Sequence, residues 1–158
     1  ALPCILFPST VTSSASVILM PSVAEMQALG HRKKIRYITR TTCAACILLG
    51  SLCTTVFYFG GNFAGTILFH NTDAGLYIRT LSFICPFLYT NIALTSILNG
   101  LGKTGTTLVH SVLGILLRIS FVIFAIPVLG IRGYLYGLLL SEILLSLLHI
   151  YALYHMEF

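Results

Sequence analysis

Long uncharged apolar runs alternate with short polar breaks along this chain. No Asp, Glu, Lys or Arg occurs in residues 1–24, 41–72, 80–102, 104–117 or 119–131. About 20 apolar residues of helix cross a hydrocarbon layer about 30 Å thick. The runs predict an all-α, polytopic membrane bundle of about five transmembrane helices, over roughly 2–29, 41–59, 74–101, 104–126 and 133–154. Gly30 closes the first. Gly60-Gly61-Asn62 predicts the end of the second, followed by a short interfacial helix over 63–69 and a polar turn over 70–73. Pro86 falls inside the third and predicts a kink. Asn99-Gly100-Leu101-Gly102-Lys103-Thr104 reads as a tight hairpin tip between the third and fourth. Pro127 to Gly130 is the next turn.

Polar positions inside the runs have their own spacing. Asn91, Thr95 and Asn99 recur every four residues and share a helix face. Ser9, Thr10, Thr12, Ser13, Ser14 and Ser16 suit close helix packing or the lining of a cavity. Gly133 and Gly137 form a G-x-x-x-G, which lets helices approach closely. Tyr151, Tyr154 and Phe158 suit a membrane interface at the far end.

Composition agrees with this reading. The chain is 57% hydrophobic and 8% charged, against about a quarter charged in an ordinary soluble domain. A soluble fold could not cover itself with so few charges. The chain opens on Ala1 and an apolar stretch with no basic region ahead of it. It is therefore read as the C-terminal portion of a longer protein, without a signal peptide.

The net charge of +5 does not imply a nucleic-acid partner, because five of the nine Lys and Arg residues crowd into connector 31–40. Arg32, Lys33, Lys34, Arg36 and Arg40 there mark the cytoplasmic side and meet lipid headgroups. Ile35 and Ile38, three apart among the charges, also fit a helix lying at headgroup level. Alternation then puts the 60–73 region outside, Lys103 inside, Arg132 outside and the C-terminus inside, with the N-terminal residues starting outside.

Several motifs imitate soluble chemistry. Gly100 to Gly105 matches G-x-G-x-x-G, but no strand precedes it and no acid follows at the required distance. Gly102-Lys103-Thr104 resembles the end of a P-loop, yet Ile97 stands where its first glycine must be. Cys43-Ala-Ala-Cys46 has no second ligand pair and reads as two small apolar residues in a helix. The histidines form no ligand cluster, and no nucleophile–base pair stands out. No enzyme activity, cofactor or metal is expected.

The candidate functional residues are therefore charges and amides inside the spans. Arg118 and Glu142 fall at similar depth on consecutive antiparallel helices, which permits an ion pair. A charge at mid-bilayer costs about 2.5–3.5 kcal/mol on insertion scales. The pair is a candidate for substrate contact or proton response, or else a register-fixing salt bridge. Arg79 is nearer the outer surface, where it could touch substrate, snorkel to headgroups or pair with Asp73. Asn91 is the remaining candidate, within a face that also suits helix–helix hydrogen bonding.

Four segments in this order resemble the multidrug/oligosaccharidyl-lipid/polysaccharide flippase superfamily. They are residues 18–30 (ILMPSVAEMQALG) with the basic run after it, Pro86-Phe87-Leu88-Tyr89, residues 97–104 (ILNGLGKT), and Leu129-Gly130-Ile131-Arg132-Gly133 leading to Ser141-Glu142. Within the superfamily the chain is most similar to the C-terminal part of the sporulation and polysaccharide-biosynthesis proteins. The resemblance implies the second half of a two-bundle transporter in a bacterial cytoplasmic membrane. It also implies alternating access, with a polyprenyl-linked oligosaccharide or cell-wall precursor as substrate. The partners it implies are a preceding N-terminal bundle of the same protein, membrane lipids and that lipid-linked sugar. Cavity arginines of such flippases lie largely in the first bundle, so the resemblance assigns no substrate residue here. A cation-coupled multidrug exporter of the same superfamily and a non-transporting membrane scaffold are the alternatives.

Overall fold

A computed structural model describes residues 2–69 and 72–155. It is helical throughout, with no strand among the described residues. The helices are α1 (Leu2–Ala28), α2 (Arg32–Phe69), α3 (Thr72–Ser82), α4 (Cys85–Gly100), α5 (Thr104–Phe124), α6 (Ile126–Leu129) and α7 (Ile131–His155). Four of them are long and apolar enough to cross a membrane. The number is five if α3 and α4, bent by 49° at their junction, form one broken span.

Helix α4 is the hub, touching α1, α2, α5 and α7. Nine of its residues are buried, among them Tyr89, Asn91, Leu94 and Leu98. Its first half packs Cys85, Tyr89 and Ala93 against Cys46, Cys53, Leu135 and Leu138. Its other half packs Leu94, Ile97 and Leu98 against Val23, Ile35 and Leu153. By contrast, α5 buries only Thr107, His110 and Gly114 and exposes Leu108, Val109, Val112 and Ile115. Apolar side chains outward and polar or small ones inward is the arrangement expected where hydrocarbon is the solvent and interhelical contact favours small and polar residues.

Helix α2 does not break at Gly60-Gly61-Asn62. It runs on to Phe69 as 38 residues, about 57 Å at helical rise, so there is no separate helix over 63–69. The glycines have a different use. A Cβ on Gly61 would lie 2.7 Å from Cγ of Arg79, so the missing side chain admits α3 against α2. The basic connector is likewise the opening of α2, with Ile35 buried among Val23, Leu98 and Leu153. Of the expected turn over 70–73, residues 70 and 71 lie outside the described residues, and Thr72 already opens α3. Phe158 also lies outside them.

The expected kink at Pro86 is a full break just before it. Helix α3 ends at Ser82, and Pro86 sits in the first turn of α4. Proline has no N–H to give to the carbonyl four residues back, which is that of Ser82. The Thr54 hydroxyl stands 2.8 Å from that carbonyl and 2.9 Å from Gly50's, supplying the donor the break lacks. Gly50 lets α2 come this close: a Cβ there would lie 2.3 Å from Cα of Pro86.

The Asn99–Thr104 tip is a capped helix end. Lys103 N–H donates to Leu98 O (2.9 Å) and Gly102 N–H to Asn99 O (3.0 Å). Gly102 takes φ = 73°, the left-handed conformation that this cap requires. The backbone N–H groups that a phosphate loop would present are thus turned to helix carbonyls. The α5–α7 hairpin is closed by short α6 and by the G-x-x-x-G. A Cβ on Gly133 would lie 2.7 Å from Ala125 O, and one on Gly137 2.5 Å from Cβ of Phe121.

Candidate functional site

The α5–α7 contact fixes the site. Antiparallel helices pair about a fixed midpoint, so the close approaches at Gly133 and Gly137 set every pair farther in. Gly114 meets Leu145, where a Cβ would lie 2.8 Å from Cδ1. Arg118 meets Glu142, and its Nη2 donates to Glu142 Oε1 in an ion pair. Arg118 Nε donates to Ser141 Oγ at 2.8 Å, and the Ser141 hydroxyl donates in turn to Leu138 O at 2.8 Å.

The third helix of the site is α4. Asn91 Nδ2 donates to Glu142 Oε2 at 2.7 Å and to the Glu142 carbonyl at 2.9 Å. Each carboxylate oxygen therefore has its own donor, one from α5 and one from α4. The two ends of the pair differ in exposure: the Glu142 side chain is 5% exposed and that of Arg118 36%. The carboxylate is sealed in the bundle while the arginine side chain stays partly open. Such an arrangement can hold an anionic group at the open face of Arg118 without displacing Glu142.

Of the sequence candidates, Arg118, Glu142 and Asn91 converge on one network. Arg79 does not join it. Its guanidinium carbon lies 4.5 Å from the centre of the Tyr58 ring, a cation–π contact between α3 and α2. The pairing expected with Asp73 concerns a side chain outside the described residues. The polar face of α4 divides in two: Asn91 holds Glu142, while Asn99 Oδ1 accepts from the Thr107 hydroxyl at 2.7 Å beside the hairpin tip. Lys103 stands at that tip, as the residue before α5. Cys43 and Cys46 are free thiols, Cys46 buried.

The polar face of α1 also finds a place. Ser9, Thr12 and Ser16 are buried. Thr12 and Ser16 line a cleft of about 340 Å³ between α1, α2 and α4, with Thr41, Thr42 and Ala93 on its other walls. Neither hydroxyl has a hydrogen-bond partner.

Sequence reasoning missed Ser141 and the facing pair His110 and His149. In the sequence Ser141 is only the residue before Glu142, and its 0% exposure has no signature of its own. The histidines could have been found. Once 118 is paired with 142 across a hairpin, the same register brings 110 to 149.

Comparison with known proteins adds one relative at low identity. The chain is 22% identical over 151 residues to Stage V sporulation protein B of Bacillus subtilis (strain 168), covering 94% of this chain and 29% of that protein. The chain thus spans under a third of the length of the curated relative it matches. No family model matches, and no solved structure matches. This is a helical chain suited to a multi-pass membrane setting, distantly similar to that sporulation protein.

Proposed function

We propose that this chain is part of a flippase-type membrane transporter that moves a polyprenyl-linked oligosaccharide or cell-wall precursor across the cytoplasmic membrane by alternating access. The observation that carries the reading is the half-exposed Arg118 held in mid-span by the buried Glu142. A lipid-linked sugar carries phosphate, and a guanidinium is suited to phosphate oxygens in a dry environment. A charge that deep is usually functional, since facing lipid is costly. The distant similarity to a sporulation protein along nearly the whole chain supports the same reading. A preceding bundle of the same protein would supply the opposite wall of the cavity.

A cation-coupled exporter would need an intramembrane acid free to bind its ion. Glu142, the buried acid of the spans among the described residues, already has Arg118 and Asn91 on its oxygens. That weighs against the exporter. The test is a flipping assay on the full-length protein in liposomes, using a fluorescent polyprenyl-diphosphate sugar. Arg118→Gln is expected to lower flipping at least tenfold with little effect from Glu25→Gln, whose side chain is exposed. Wild-type flipping no faster than in protein-free liposomes would sink the proposal.

A further inference from the structure

Two turns along the α5–α7 seam from the ion pair, His110 and His149 face each other with ring centres 5.1 Å apart and planes tilted by 53°. His149 is 2% exposed and His110 9%. Nδ1 of His110 and both ring nitrogens of His149 have no hydrogen-bond partner. Nearby, the Thr107 hydroxyl is matched to Asn99, Ser141 to Leu138 and the Asn91 amide nitrogen to Glu142, while Asn91 Oδ1 is also without a partner. A buried donor or acceptor left unpaired costs about 1–3 kcal/mol, and here three such nitrogens sit on two rings that face each other.

A neutral imidazole has one donor and one acceptor nitrogen; an imidazolium has two donors. Two facing rings can thus hold one proton between them, an imidazolium N–H donating to the partner's bare nitrogen. An N–H···N bond of about 2.9 Å, with a ring radius added at each end, matches the spacing seen here once the rings turn toward each other. Two protons would place two cations side by side in an apolar seam, which Coulomb repulsion opposes.

Few titratable groups surround the pair. On α5, Arg118 lies two turns farther in, and Lys103 stands before the first turn. On α7, Glu142 lies two turns back and His155 nearly two turns on. Arg118 and Glu142 neutralise each other. Helix α4 brings Cys85 and Tyr89, α3 brings Tyr77 and Arg79 among the described residues, and α6 brings no titratable side chain. No carboxylate other than Glu142 stands on these packed helices within the described side chains.

We propose that His110 and His149 form a proton-binding site that takes up one shared proton inside the α5–α7 seam. Binding adds one positive charge between the hairpin tip and the Arg118–Glu142 pair; release restores a neutral seam. The site stands on its own geometry and does not depend on what the protein transports.

The test is proton uptake by the purified full-length protein in nanodiscs, titrated from about pH 8 to about pH 4 around the histidine range. His110→Gln, His149→Gln and the double variant are each expected to take up one proton fewer than wild type, the singles matching the double. Singles equal to wild type would overturn the proposal. So would a double variant losing twice what each single loses, because that describes two independent histidines. Ring-nitrogen NMR of ¹⁵N-histidine in the unaltered protein gives a check that needs no variant to fold. The two buried rings are expected to change together in one transition. Two rings neutral throughout, or titrating separately, would refute the shared site.

Discussion

Asn91 Nδ2 stands 2.7 Å from Glu142 Oε2 and 2.9 Å from the Glu142 carbonyl, so one amide on α4 holds both the side chain and the backbone of α7. Arg118 from α5 takes the other carboxylate oxygen. Three helices are tied at a single carboxylate, and the consequences can be measured one partner at a time.

Glu142→Gln keeps the shape but leaves Arg118 without its counter-charge. Removing one partner of a buried pair destabilises by about 3–5 kcal/mol, and the half-exposed Arg118 moderates the loss toward about 1–3 kcal/mol. The melting temperature in detergent is expected to fall clearly, and flipping with it. Glu25→Gln, on an exposed position, is expected to change neither. Equal effects from the two variants would remove the pair from consideration.

Asn91→Asp and Asn91→Leu separate charge from hydrogen bonding. The aspartate would set a second carboxylate where the donor now stands, 2.7 Å from Glu142 Oε2, and like charges at that distance repel strongly. The Asp variant is expected to be the less stable of the two at neutral pH and to recover in acid, as one carboxylate of the pair protonates. A thermal-denaturation series against pH checks this; no recovery in acid contradicts it.

Thr54→Val is isosteric and removes the donor facing the Ser82 carbonyl at the α3–α4 break. A loss of about 1 kcal/mol is expected, with faster backbone amide exchange confined to residues near the break. Ser51→Ala, one turn away, serves as the control.

Gly137→Val tests the hairpin. A Cβ there already lies 2.5 Å from Cβ of Phe121, so α5 and α7 must separate, at about 1–3 kcal/mol. Gly105→Ala, whose Cβ would meet nothing within 4 Å, is expected to be silent. Hydrogen exchange of both variants reports the contrast.

The distribution of Lys and Arg predicts the orientation, and labelling checks it. In a background without native cysteines, Lys103→Cys is expected to react only from the cytoplasmic side and Gly130→Cys only from outside, by membrane-impermeant maleimide on intact cells. The opposite pattern reverses the topology.

The sequence by itself determined the class. Uncharged runs of span length leave a helix few alternatives, since only internal hydrogen bonds can satisfy a backbone in hydrocarbon. The hairpin tip was legible because its left-handed backbone needs Gly102, and the close contact at Gly133 and Gly137 because a G-x-x-x-G on a span favours helix approach. Depth counting placed Arg118 level with Glu142. What it could not supply was the third partner. Asn91 had the spacing of a helix-packing face, and only the arrival of α4 beside α7 brought it to the carboxylate.

Glycine and proline misled where their use was tertiary. Gly60-Gly61 has the pattern of a helix end, but Gly61 makes room for Arg79. Pro86 has the pattern of a kink, but the break it allows holds because Thr54 on another helix supplies a hydrogen bond. A small residue or a missing donor reads alike in a turn and in a packed contact. The neighbour that distinguishes them comes from a different part of the chain, so only the tertiary structure decided.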